Sequence, residues 1–126
     1  MYKNLTIAAV LGVIAVILGA FGAHALKTKL TPEALESFQT AVRYQFLHVL
    51  LLLFVNMFSE FTSKEKNRIS YFLMTGILMF SGSIYLIYLL NIPAKIIWFV
   101  TPLGGVLLII GWGLLAYSFF KKAIKN

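Results

Sequence analysis

Four long apolar stretches, residues 5–23, 44–59, 69–94 and 96–120, carry no Asp, Glu, Lys or Arg and together make up most of the chain. At about 1.5 Å of rise per residue, runs near twenty residues span a hydrocarbon core of roughly 30 Å, in which only helices and closed barrels satisfy their backbone groups. None of the runs alternates apolar and polar positions as a barrel strand must. The pattern therefore predicts an all-α integral membrane bundle of four transmembrane helices, at about 4–26, 32–60, 68–91 and 102–122, in a single domain 1–126. The second helix has the sharpest start. Thr31 can cap it, Pro32 suits its first position, and Glu33 and Glu36 favour the positive end of the helix dipole. Nothing obliges that helix to stop before Ser59, which makes it too long for the hydrocarbon alone and extended at its outer N-terminal end. Thr101-Pro102 repeats the cap-and-proline signal and sets the expected start of the fourth helix, after the turn Asn91-Ile92-Pro93-Ala94-Lys95 and a belt-depth Trp98-Phe99.

Composition sharpens the picture. The 126 residues are 60% hydrophobic and 12% charged, whereas soluble domains carry about 25% charged residues. The absence of cysteine removes disulfides, thiolate metal sites, iron–sulfur clusters and cysteine nucleophiles together. The formal charge of +7 would suit nucleic acid, but the basic residues flank the apolar spans and form no separate face. The partners expected are therefore membrane lipids, with a membrane-protein partner or homo-oligomer left open, and no nucleic acid. Four spans put both termini on one side with the connection 60–68. That side gathers Lys3, Lys64, Lys66, Arg68, Lys121, Lys122 and Lys125, against Lys27, Lys29, Lys95 and the rim residue Arg43. The positive-inside rule then predicts cytoplasmic termini, and the localisation expected is a bacterial plasma membrane. Ala23-His24-Ala25 imitates a signal cleavage site, but the apolar run before it exceeds the roughly 7–15 residues of a signal core, so it is read as a retained helix.

Candidate chemistry is sparse. Glu36, Thr40, Tyr44 and His48 fall at steps of four, so a helix carries them as one polar stripe descending from water into lipid. Arg43 can snorkel back to the interface, whereas His48 cannot, and an ionisable group in hydrocarbon costs on the order of 2.5 to 3.5 kcal/mol on insertion scales. His48 should thus face the bundle interior. His24, closing the first helix, and Thr101, opening the fourth, belong to the same outer half. The set His24, Glu36, Thr40, Arg43, Tyr44, His48 and Thr101 is read in four ways: interhelical hydrogen bonding, a pocket for a lipid headgroup or small anionic ligand, a proton- or ion-coupled pathway through His48, or a metal site drawing on His24, His48 and Glu36. No cofactor is expected. Small residues, among them Gly12, Gly19, Gly82, Gly104, Gly105 and Gly111, are read as helix-packing positions, internal or at a homodimer seam. No phosphate loop, nucleophile elbow or metalloprotease helix appears, and Ser81, His48 and Glu36 lie at depths too different to act together, so no enzyme is expected.

Four segments in order carry a family resemblance: Gly19-Ala20-Phe21-Gly22-Ala23-His24-Ala25-Leu26; Tyr44-Gln45 with His48; Phe80-Ser81-Gly82-Ser83-Ile84-Tyr85; and Thr101-Pro102-Leu103-Gly104-Gly105 with Gly111-Trp112. The chain resembles the domain of unknown function 423 family, small four-helix membrane proteins related to transmembrane protein 256, with Ile84 where leucine is common. The resemblance covers essentially the whole chain and implies the membrane fold; it implies no activity. The expectation carried forward is a small noncatalytic membrane protein with an outer-half polar pocket for a lipid headgroup, small anion or membrane partner. The alternative is a small proton- or ion-coupled transporter or channel component, which needs a water path past Ser81 and Gly82.

Overall fold

The structure, a computed structural model, describes residues 2–126. Helices α1 (Tyr2–His24), α2 (Pro32–Met57), α3 (Ser63–Leu89), the single turn α4 (Ala94–Ile97) and α5 (Val100–Lys125) follow one another. Four of these elements are long and apolar enough to cross a membrane, counting α4 and α5 as one span. The protein is an all-α membrane bundle of four transmembrane helices, with α2, 26 residues and about 39 Å long, extended at the end remote from the termini. α1 packs on α2, α2 on α3, and α3 on α5 in the most extensive seam.

Local chemistry explains the boundaries. Thr31 accepts a hydrogen bond from the Ala34 N–H at 3.2 Å and Pro32 opens α2. α3 begins at Ser63, ahead of the 68 expected from the apolar run. Thr62 and Glu65 form a reciprocal capping box, in which the Glu65 N–H donates to Thr62 Oγ1 at 3.2 Å and the Thr62 N–H to Glu65 Oε2 at 2.9 Å. α3 ends where Asn91 takes φ 55°, a conformation Asn tolerates, while the Ile92 N–H turns back to the Leu86 carbonyl at 3.2 Å. α5 contradicts the Thr101-Pro102 reading. It starts at Val100, its cap residue Phe99 is already helical (φ −76°, ψ −19°) and makes no side-chain cap bond, so Thr101 lies inside the helix and its hydroxyl pairs sideways with Ser83 of α3.

The core sits toward the terminal end: Ala8, Leu52, Val55, Phe61, Ile69, Leu73, Ile77, Leu108 and Leu115 form one cluster. Small residues let the backbones approach. A Cβ at Gly104 would run into the backbone of Met79 and Phe80, and at Gly111 it would lie 2.6 Å from Leu73 Cδ2. On α1, Cβ atoms at Gly12 and Gly19 would lie 3.4 Å and 3.3 Å from Val49 and Val42 of α2, so that small face packs inside the chain. Gly82 differs from its expected packing role, because a Cβ there meets nothing within 4 Å; Gly76, against Leu108 at 2.6 Å, is the glycine of α3 that admits α5.

Candidate functional site

The polar stripe of α2 turns back on its own helix. Thr40 Oγ1 donates to the Glu36 carbonyl at 2.9 Å, and His48 Nδ1 lies 2.6 Å from the Tyr44 carbonyl. Both are bonds to the carbonyl four residues earlier, the usual local partner of a short polar side chain in a helix. The other ring nitrogen of His48 reaches across to α5, where Trp112 Nε1 is 3.0 Å from His48 Nε2. Donor chemistry fixes the tautomer. An indole N–H only donates and a backbone carbonyl only accepts, so Nε2 is the bare nitrogen and Nδ1 carries the hydrogen. His48 is 5% exposed and both nitrogens are spent. A metal would find no lone pair there. Among the described residues no group of three or more His, Asp or Glu side chains is placed to hold a metal ion.

The remaining candidates do not gather round His48. Arg43 is exposed and lines a cavity between α1 and α2 with Gly19, Gly22 and Phe38. His24, at the C-terminal end of α1, and Glu36 are exposed. Thr101 is bonded to Ser83. Tyr44 stacks on Phe80 of α3 with ring centroids 4.8 Å apart. What does assemble is a groove of about 490 Å³ across α2, α3 and α5, walled by Tyr44, Leu47, His48, Phe80, Gly105, Leu108, Ile109 and Trp112. Its flanks face outward: Tyr44 is 42% exposed, Trp112 48% and Ile109 70%.

Three polar links join helices outside the stripe, two of them, at Gln45 and Asn56, not expected from the sequence. Gln45, 2% exposed, donates from Nε2 to the Leu11 carbonyl of α1 at 2.7 Å and accepts from the Tyr85 hydroxyl of α3 at 2.7 Å, joining three helices. Asn56, fully buried, donates to Ser70 Oγ and to the Leu52 carbonyl, each at 2.8 Å, and accepts from Asn4 Nδ2 at 2.9 Å; Asn4 also reaches Asn67 at 2.9 Å. Ser81 Oγ donates to the Ala41 carbonyl at 2.7 Å. The signal was present for the amides: a carboxamide inside an apolar run needs interhelical partners, since lipid offers none. Which helix supplies them is not written locally.

At the terminal end Glu65 lies in the first turn of α3, outside the apolar run that begins at Ile69. The Thr62 N–H donating to it holds its carboxyl below the usual value of 4.5, helped by the Thr62 hydroxyl and by Lys122 and Lys121, against the opposing effect of burial.

A family model described as Protein of unknown function (DUF423) matches residues 18–105. The chain is similar to a UPF0382 membrane protein of Staphylococcus aureus, 42% identical over 105 residues covering 83% of this chain and 84% of the relative. A UPF0382 membrane protein of Staphylococcus saprophyticus is 44% identical over 103 residues, 82% and 84% of the two chains. One from Haemophilus influenzae is 39% identical over 120 residues, 95% of each. No solved structure matches.

Proposed function

The chain belongs to the DUF423 family of membrane proteins of unknown function, and from that premise we propose that it is a noncatalytic membrane protein that seats a lipid chain in the groove between α2 and α5. The observation that carries this is the pairing of His48 with Trp112. It pairs the His48 and Trp112 nitrogens with each other and leaves an aromatic and aliphatic trough, open sideways between exposed Leu47 and Ile109, with the Tyr44 hydroxyl at its edge. Such a surface suits an acyl chain, and no charged side chain lines it to hold a soluble anion. The transport alternative needs water beside Ser81, and Ser81 is 1% exposed with its hydroxyl bonded to Ala41; that weighs against it.

The test is photo-crosslinking with a phosphatidylcholine carrying a diazirine in its acyl chain, mapped by peptide mass spectrometry. Adducts should concentrate on α2 and α5 at the groove. Gly105→Leu should abolish them there, because a Cβ at Gly105 meets only Phe80 Cδ2 at 3.8 Å and a larger side chain projects into the groove without striking backbone. Adducts spread evenly over every exposed apolar residue, or unchanged in Gly105→Leu, would refute the proposal. The same reading sets the termini in the cytoplasm, on the basic bias of that end. Because the chain has no cysteine, single cysteines at Lys29 and Lys125 report the orientation by impermeant labelling, with only the former reactive in intact cells.

A further inference from the structure

The end of the bundle that holds the termini has a second concavity, unrelated to the groove. A cleft of about 310 Å³ opens between the start of α3 and the end of α5. Lys64 and Arg68 line it from α3, and Lys121, Lys122 and Lys125 from α5. One acid joins them. Glu65 is 8% exposed; its Oε2 accepts from the Thr62 N–H at 2.9 Å and the Thr62 hydroxyl at 3.0 Å, and its Oε1 stands 3.6 Å from Lys121 Nζ. That carboxylate is thus committed to the helix cap and to one lysine. Four further cations line the cleft with no other acid among its walls. Two ammonium groups are held over rings, Lys122 Nζ 5.6 Å from the Phe61 centroid and Lys121 Nζ 5.2 Å from that of Tyr117.

Position supplies the ligand class. The cleft lies just beyond the apolar runs that begin at Ile69 and end at Phe120, which is the depth of the lipid phosphates. Its volume falls within the roughly 300–1,000 Å³ of small-molecule sites. Converging cations of like sign repel one another unless an anion lies among them, and basic pockets between transmembrane helices suit anionic headgroups. We propose that this cleft binds the phosphate of an anionic phospholipid headgroup from the leaflet that faces the termini.

The experiment reads the lipids retained, by native mass spectrometry, on protein released from nanodiscs made of equal phosphatidylglycerol and phosphatidylcholine. Wild type should retain phosphatidylglycerol over phosphatidylcholine by about tenfold. Arg68→Gln with Lys125→Gln, both exposed side chains whose loss leaves the Glu65 cap intact, should bring that ratio to about one with an unchanged melting temperature. Lys3→Gln with Lys66→Gln removes the same charge from the same end but outside the cleft, and should preserve the preference. A lipid held in the α2/α5 groove would dilute that ratio in every protein, so all of them, the one with the wild-type cleft included, carry Gly105→Leu, which fills the groove. A wild-type ratio near one, or an equal fall in the control pair, would overturn the proposal. Displacement of phosphatidylglycerol by millimolar inorganic phosphate would overturn its lipid assignment and give the site to a soluble phosphate.

Discussion

Gly104→Ala is the sharpest perturbation the structure offers. The new methyl would stand 2.8 Å from Met79 C and from Phe80 Cα, and closer still to the Phe80 nitrogen. All three are backbone atoms, which cannot rotate aside. Ordinary contact begins at 3.4 Å, and the Phe80 nitrogen is the nearest atom, so the α3/α5 seam must open locally by about 1 Å. A gap of roughly 0.5–1 Å forfeits a quarter to a half of each dispersion contact it touches, and overpacking of this kind costs about 1–3 kcal/mol. The Ser83–Thr101 hydrogen bond lies on the same seam and is strained with it. We expect a loss of about 2 kcal/mol, roughly thirtyfold in the folding equilibrium. Gly82→Ala is the internal control, since its methyl meets nothing within 4 Å, and it should be neutral within about 0.5 kcal/mol. Gly76→Ala and Gly111→Ala should fall between, because the first atom each would strike belongs to a leucine side chain that can partly yield. Steric trapping in bicelles measures the series. Gly104→Ala within about 0.5 kcal/mol of Gly82→Ala would refute the close-seam reasoning.

Three other outcomes follow from the polar links. A double-mutant cycle of His48→Ala and Trp112→Phe should give a coupling of about 0.6 kcal/mol and no more than about 1.7; strictly additive singles would deny the bond. Asn56→Leu, which removes three hydrogen bonds from a fully buried site, should cost about 1–2 kcal/mol, while Asn67→Ala at its exposed edge should cost less than about 0.5. Unfolding in bicelles compares the two, and equal losses would count against the network. Glu65 gives a pH signature. Its folded carboxyl titrates below 4.5, chiefly through the Thr62 N–H, so the stability it adds is present at neutral pH and lost as pH falls through the folded value. Wild type should exceed Glu65→Gln at pH 7 and converge with it in acid; a constant difference would disprove the cap's contribution.

How legible this was depends on whether the partner is local. The number of spanning helices follows from run lengths, because lipid forces each apolar run to satisfy its backbone by itself. Thr31-Pro32 caps α2 because a cap is settled within four residues. The identical Thr101-Pro102 pair misled, since Phe99 had already entered the helix and Ser83, eighteen positions back, claimed the hydroxyl. The stripe at steps of four lies on one helix, but spacing says nothing of which atoms bond, and Thr40 and His48 turn to their own backbone. Arg43 and His48, five residues apart, line different cavities. Gln45 and Trp112 find partners 34 and 64 positions away, beyond any local pattern. The seven candidates therefore resolve into a buried cross-link at His48, a hydroxyl pair between α3 and α5 at Thr101, an aromatic groove wall at Tyr44, a hydroxyl turned to its own helix at Thr40, and the exposed side chains of His24, Glu36 and Arg43.

His48 is a structural cross-link with both ring nitrogens committed. Solid-state ¹⁵N NMR of histidine-labelled protein in bilayers, with His24→Gln removing the second signal, tests it directly. The ring should be neutral and protonated at Nδ1 only, with its bare Nε2 correlated to the Trp112 indole proton. A ring protonated at Nε2, a doubly protonated ring, or a signal that moves on adding Zn²⁺ would contradict it.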